Sequence, residues 1–146
     1  MTAGSSLTRG NLETADALRL VVGRLARRLR QHSVGGLTLS QRSALVTLER
    51  SGPLRMGDLA AIENVSKPSM TGIVGRLEER GLVRRVPDSE DRRSTRVGVT
   101  KTASALLAKS RRLRSAYLAE RIGRLSPEER ELLVSSVALL DRMINE

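Results

Sequence analysis

Ser66, Lys67, Ser69, Thr71, Gly72 and Arg76 stand within one short segment, and Asp91, Arg92 and Arg93 follow in a polar loop. Hydroxyls and cations grouped in this way suit the binding of anions and polar edges. Ser66, Lys67 and Ser69, at the start of a helix, can donate to phosphate oxygens alongside the free backbone N–H groups there. Thr71 and Arg76 suit base edges, or the adjoining backbone, in a major groove. Arg93 suits a narrow, negative minor groove, with Asp91 accepting from its guanidinium and holding it extended; Arg92 suits phosphate. The partner these residues call for is double-stranded DNA.

Catalysis is a poor fit. The candidate acids and bases are Asp88, Glu90, Asp91 and His32. The three carboxylates share a loop with Arg92 and Arg93, so they are expected to be solvated and ionised, with nothing to raise a pKa. No Ser or Thr has a credible base beside it in sequence, and no phosphate-cradling Gly-rich loop is present. With no Cys and one His, neither a thiolate metal site nor a disulfide framework can form. No enzyme activity, metal or other cofactor is expected, and His32 reads as a helix-end residue.

The rest of the composition points the same way. The chain of 146 residues carries a formal net charge of +10, which favours a polyanionic partner because each cation placed on a phosphate releases a counterion. Membrane surfaces compete for such a protein, but no apolar run approaches the ~20 residues of a bilayer span. The first residues also lack the basic-then-apolar order of a signal peptide. A soluble, cytoplasmic protein without membrane contact is expected.

The elements that must position these residues follow from apolar spacing. Met70, Ile73, Val74 and Leu77, at i, i+3, i+4 and i+7, give a helix over 66–80 one buried face, and Gly81 stops it. Pro68 is tolerated in the first turn. Turning ~100° per residue places Pro68, Gly72, Gly75 and Glu79 opposite the buried face. Each glycine costs about 1 kcal/mol relative to Ala in a helix interior, and we read the pair as permitting close approach of the helix backbone to DNA. A hairpin follows, 82–86 and 95–99 around the loop 87–94. Before the helix lie a helix from the capping Ser40 to Ser51, an extended 54–56, and a short helix 57–64 with Leu59 and Ile62 inward. Asn64-Val65 makes the tight turn of a helix-turn-helix.

Three further helices flank this centre. Leu12–Gln31, after a Gly/Ser/Thr-rich start expected to fray, carries the stripe Leu18, Val21, Val22, Leu25 and Leu29, together with Arg19, Arg24, Arg27, Arg28 and Arg30. A long basic helix runs from Lys101 to about 123. Ser126-Pro127-Glu128-Glu129 then opens a terminal helix with an N-cap, a proline at N1 and acids in the first turn. That last helix is apolar over a broad face, Leu132 to Ile144, and pairing of both chain ends between two copies covers it most economically.

With helix, turn and hairpin in register, the chain resembles the MarR family of bacterial regulators. The resemblance rests on Ser66-Lys67-Pro68-Ser69-Met70-Thr71, on Arg76 through Val83, on Asp88 through Thr100 with Asp91-Arg92-Arg93, and on Leu37-Thr38-Leu39-Ser40-Gln41. It implies a mainly α fold with a small β-hairpin wing (α+β), a winged helix-turn-helix lobe over 37–100 flanked by dimerisation helices in 1–36 and 101–146. It further implies a homodimer on a palindromic operator, its recognition helices meeting successive major grooves about 34–36 Å apart, and usually acting as a repressor. For many members it implies relief of DNA binding by a small anionic or phenolic effector. Many members carry Arg and Asp where this chain has Gly72 and Gly75, which shifts readout toward DNA shape. With Tyr117 as its one aromatic residue, the chain has little from which to line an aromatic pocket, and no residue is assigned to a ligand. The alternative is a sequence-tolerant architectural DNA-binding protein.

Overall fold

The computed structural model describes residues 8–146. The Gly/Ser/Thr-rich start read as frayed falls largely outside them. The chain forms two compact units, residues 33–111 and residues up to 32 together with 112–146.

The helices, numbered along the chain, are α1 Arg9–Gln31, α2 Leu39–Ser51, α3 Met56–Ile62, α4 Lys67–Glu79, α5 Lys101–Ile122 and α6 Pro127–Asn145. Unit 33–111 holds α2, α3, α4 and the start of α5, with strands β1 Leu54–Arg55, β2 Val83–Pro87 and β3 Thr95–Val99. Thr38, rather than Ser40, caps α2. Its extended backbone lets its hydroxyl accept from the Gln41 N–H while the Gln41 side chain returns to the Thr38 N–H, a reciprocal capping box. Gly52, at φ 77°, ends the helix. Asn64 makes the turn between α3 and α4 at φ 54°, a left-handed conformation that Asn tolerates better than most residues.

α3 differs from the expected packing. Leu59 and Ala60 are buried, whereas Ile62 is 57% exposed. At ~100° per residue, a face centred between 59 and 60 leaves 62 about 110° away, while Met56 falls near its centre. Met56, partly buried, packs on the core in its place.

The core joins Ala44, Leu45 and Leu48 of α2 to Leu59 and Ala60, to Met70, Val74 and Leu77 of α4, to Val83 and Val97 of the sheet, and to Ala103 and Leu107 of α5. Leu45 is fully buried, so Leu45→Ala is expected to destabilise the lobe by about 2–5 kcal/mol in chemical denaturation. The sheet has the order β1-β3-β2 and is antiparallel throughout. Pro87 belongs to β2, opposite Thr95; as β2 is an edge strand, its missing N–H costs no ladder bond. Leu54 and Arg55 pair with Val97 and Arg96, so the short segment before α3 becomes a third strand of the wing.

The second unit contains α1, the later part of α5, and α6. Ser126 caps α6 in a capping box with Glu129, as its sequence predicts. Neither α1 nor α6 has a buried residue, and Leu20, Val21, Leu132, Val134 and Ile144 are exposed. His32 ends α1 and stacks on Tyr117 at 4.0 Å, with the Arg121 guanidinium 3.5 Å from the same ring. Among the described residues no helix is long and apolar enough to cross a membrane.

Candidate nucleic-acid interface

α4 is held by its inner face and offers its outer one. Met70, Val74 and Leu77 are fully buried, while Lys67, Pro68, Ser69, Thr71, Gly72 and Arg76 are exposed. A Cβ built on Gly72 or Gly75 meets nothing within 4 Å. No neighbour within the protein therefore demands glycine at either position.

The hydroxyls at the start of α4 are not equivalent. Ser66 accepts from the Ser69 N–H at 3.2 Å and donates to Ser69 Oγ at 2.8 Å, so its proton is committed to the cap and is not offered to a phosphate. Ser69 accepts that bond and keeps its own proton for a partner. Thr71 Oγ1 donates to the Lys67 carbonyl at 2.9 Å.

The wing is organised by a residue that sequence reasoning placed among solvated carboxylates. Asp88 is 2% exposed. Arg55 Nε donates to its Oδ2 at 2.5 Å, the Glu90 N–H to Oδ1 at 3.0 Å and the Ser94 hydroxyl to Oδ2 at 3.0 Å. Arg96 Nε lies 3.3 Å from Oδ1 in an ion pair. The Arg55 hydrogen bond first, then the Glu90 N–H and the Ser94 hydroxyl, hold this carboxyl far below the usual carboxylate range, against the opposing effect of burial. Asp88 is thus ionised as expected but enclosed rather than solvated, because the fold brings Arg55 and Arg96 onto it.

At the tip, Asp91 Oδ1 accepts from the Arg93 backbone N–H at 2.9 Å. The expected contact with the Arg93 guanidinium is replaced by this turn, since an Asp side chain readily reaches the N–H two residues on. Asp91 thereby shapes the loop, and the Arg93 side chain is left to extend from it. Lys67 and Arg76 on α4, and Arg92 and Arg93 on the wing, have no carboxylate partner among the described residues, whereas Arg55, Arg85 and Arg96 of the same lobe are paired. Sequence reasoning missed Arg55 and Arg96 as the wing's anchors. Their signal lies in pairing between distant segments, which spacing along the chain does not carry.

Fold and exposed chemistry together define a winged helix-turn-helix protein. Residues 37–95 match the model of the MarR family. Over 133 residues, 90% of this chain and 93% of the relative, the chain is 38% identical to an HTH-type transcriptional regulator of Mycobacterium bovis. It is 39% identical over 103 residues, 60% of this chain and 59% of the relative, to the transcriptional activatory protein BadR of Rhodopseudomonas palustris. A crystal structure of a transcriptional regulator protein from Pseudomonas aeruginosa is similar with a TM-score of 0.84 and 29% identity, covering 95% of this chain and 99% of that one. The chain belongs to the MarR family, and it is a DNA-binding regulator of transcription rather than an enzyme.

Proposed function

We propose that two copies of this chain bind a pseudo-palindromic operator and repress transcription by blocking polymerase. In this reading residues 37–100 form the DNA-binding lobe, and 1–36 and 101–146 form the dimer. Ser69, Lys67 and the N-terminal amides of α4 meet phosphates, Thr71 and Arg76 face the major groove, Arg92 takes phosphate and Arg93 enters the minor groove. The observation that carries it is the set of uncompensated cations on α4 and the wing, with two open glycines between Lys67 and Arg76 on the same helix.

Dimerisation is supported by the unburied apolar faces of α1 and α6. An open groove of about 860 Å³ there is lined by Leu12, Leu18, Val22, Leu140, Met143 and Ile144. Patches of this kind mark association surfaces, and sedimentation equilibrium checks the pairing: a monomer at micromolar concentration removes it.

Fluorescence anisotropy on the chain's own upstream promoter DNA against a scrambled duplex, across a salt series, tests the binding reading. A preference of about 10³ or more near physiological salt establishes a specific regulator; equal binding points to the architectural alternative or to an operator located elsewhere. In the same assay Arg93→Ala is expected to weaken binding and to flatten the plot of log affinity against log salt by about 0.9 for each lobe that loses one phosphate-like contact. Unchanged affinity and slope would remove Arg93 from the interface.

A second reading, activation, is favoured by the relative named an activatory protein. In vitro transcription from the bound promoter separates the two by the sign of the effect. Relief by a small anionic effector is tested by adding benzoate-type acids to the same binding assay.

A further inference from the structure

We infer that Pro68 and Thr71 form an apolar reader for a thymine methyl group in each half-site, an inference that rests on α4 being the recognition helix. The Lys67 carbonyl can only accept, so the 2.9 Å bond from Thr71 consumes the one proton of that hydroxyl. Thr71 therefore cannot donate to guanine N7 or O6, or to thymine O4. What it offers a base edge is its methyl group and the remaining lone-pair capacity of Oγ1.

Pro68 lies three residues earlier, so the two side chains are neighbours on the helix surface. Both are exposed, and the pyrrolidine ring has no polar atom to offer. The remaining exposed positions of α4 named above are polar, charged or glycine. Proline ring and threonine methyl are thus the apolar groups of this surface, and Gly72, exposed beside them, has no side chain to hold them away from a groove.

Among the groups along the major-groove edges of the four base pairs, the one apolar group is the C5 methyl of thymine. Setting an apolar pair against polar edges would strip water from those edges without replacing its hydrogen bonds, whereas setting it against a methyl buries apolar surface on both sides.

The test uses the full-length protein and the duplex it enriches from a random pool, remade with single thymine-to-deoxyuridine replacements, which remove only the methyl. Wild type is expected to lose about fourfold in affinity at one thymine position of a half-site, and about fifteenfold when both half-sites carry the change, the factors that ~0.8 kcal/mol per buried methyl-sized group gives. Thr71→Ser, which keeps the hydroxyl and lacks the methyl, is expected to lose much of the thymine-to-uracil ratio at that position; Thr71→Val, which keeps a methyl and lacks the hydroxyl, is expected to retain it. Thr71 is exposed, so both variants should melt with wild type. Indifference of wild type to every replacement overturns the inference, as does an unchanged ratio in Thr71→Ser or its loss in Thr71→Val. Enrichment of no duplex at all overturns the recognition reading beneath it, and the inference with it.

Discussion

Gly72→Leu is expected to fold as well as the wild type and to lose specific DNA binding. The first half follows from geometry: a Cβ at Gly72 has no neighbour within 4 Å, and the position is exposed on α4. Leucine is also a better helix former than glycine by roughly 0.8 kcal/mol, so thermal melting should be unchanged or raised. The second half follows from what an outward glycine does for a partner. A leucine projecting from the centre of the recognition face holds the helix away from the base edges. Thr71 and Arg76 then cannot reach them. Affinity for an operator should fall to that for random duplex, a loss of about 10³-fold or more. Lys67, Arg92 and Arg93 are untouched, so the salt-dependent component should survive. Anisotropy on operator and scrambled DNA, with a melting curve of the same sample, reads both halves. Retained preference for the operator in a folded Gly72→Leu would remove the close-approach argument.

Asp88→Asn is expected to loosen the wing and to weaken DNA binding at least as much as Arg93→Ala. Arg55 and Arg96 are directly opposed across β1 and β3, and like charges in that relation repel. The Asp88 carboxylate lies against both, at 2.5 Å and 3.3 Å. An amide of the same shape retains a carbonyl acceptor but not the charge, which leaves two guanidinium groups facing each other without a counterion. The Glu90 and Ser94 bonds that close the loop would weaken with it, and Arg92 and Arg93 ride on that loop.

The pH dependence carries a defined sign. The folded Asp88 carboxyl titrates well below its unfolded value, so its contribution is fully present above the ordinary carboxylate range and is lost as pH falls below about 4. Wild type should therefore lose stability through this acidic window. Asp88→Asn should be less stable at neutral pH and should show a shallower acidic decline. Denaturant titrations of both proteins at neutral and acidic pH check this, and parallel curves would show that Asp88 does not hold the wing.

Local pattern carried much of the fold. The spacing of Met70, Val74 and Leu77 marked the inner face of α4, Gly81 its end, and Ser126-Pro127-Glu128-Glu129 the start of α6, because each is a short-range matter of helix period or capping. Even so, local rules alone misplaced the α2 cap by two residues. Thr38 and Ser40 are both competent caps, and the choice fell to Gln41, which sits at the right distance to reciprocate with Thr38. Ile62 was misread for a related reason. In a helix as short as α3, periodicity leaves the centre of the buried face open, and the neighbouring elements set it.

By itself, the sequence determined the chemical class of the partner, through cations and small polar side chains gathered on one helix and one loop. It also determined the outward position of Gly72, since helix period alone puts that residue opposite Met70 and Val74. Only the tertiary structure decided the state of Asp88. Nothing in Val86-Pro87-Asp88-Ser89 distinguishes a buried carboxylate from a solvated one. The distinction arises when β1 pairs with β3 and delivers Arg55 and Arg96 to the same side chain, a contact between segments more than thirty residues apart in the case of Arg55. Electrostatic burial depends on which charges meet in space, and the order of residues along the chain does not record that meeting.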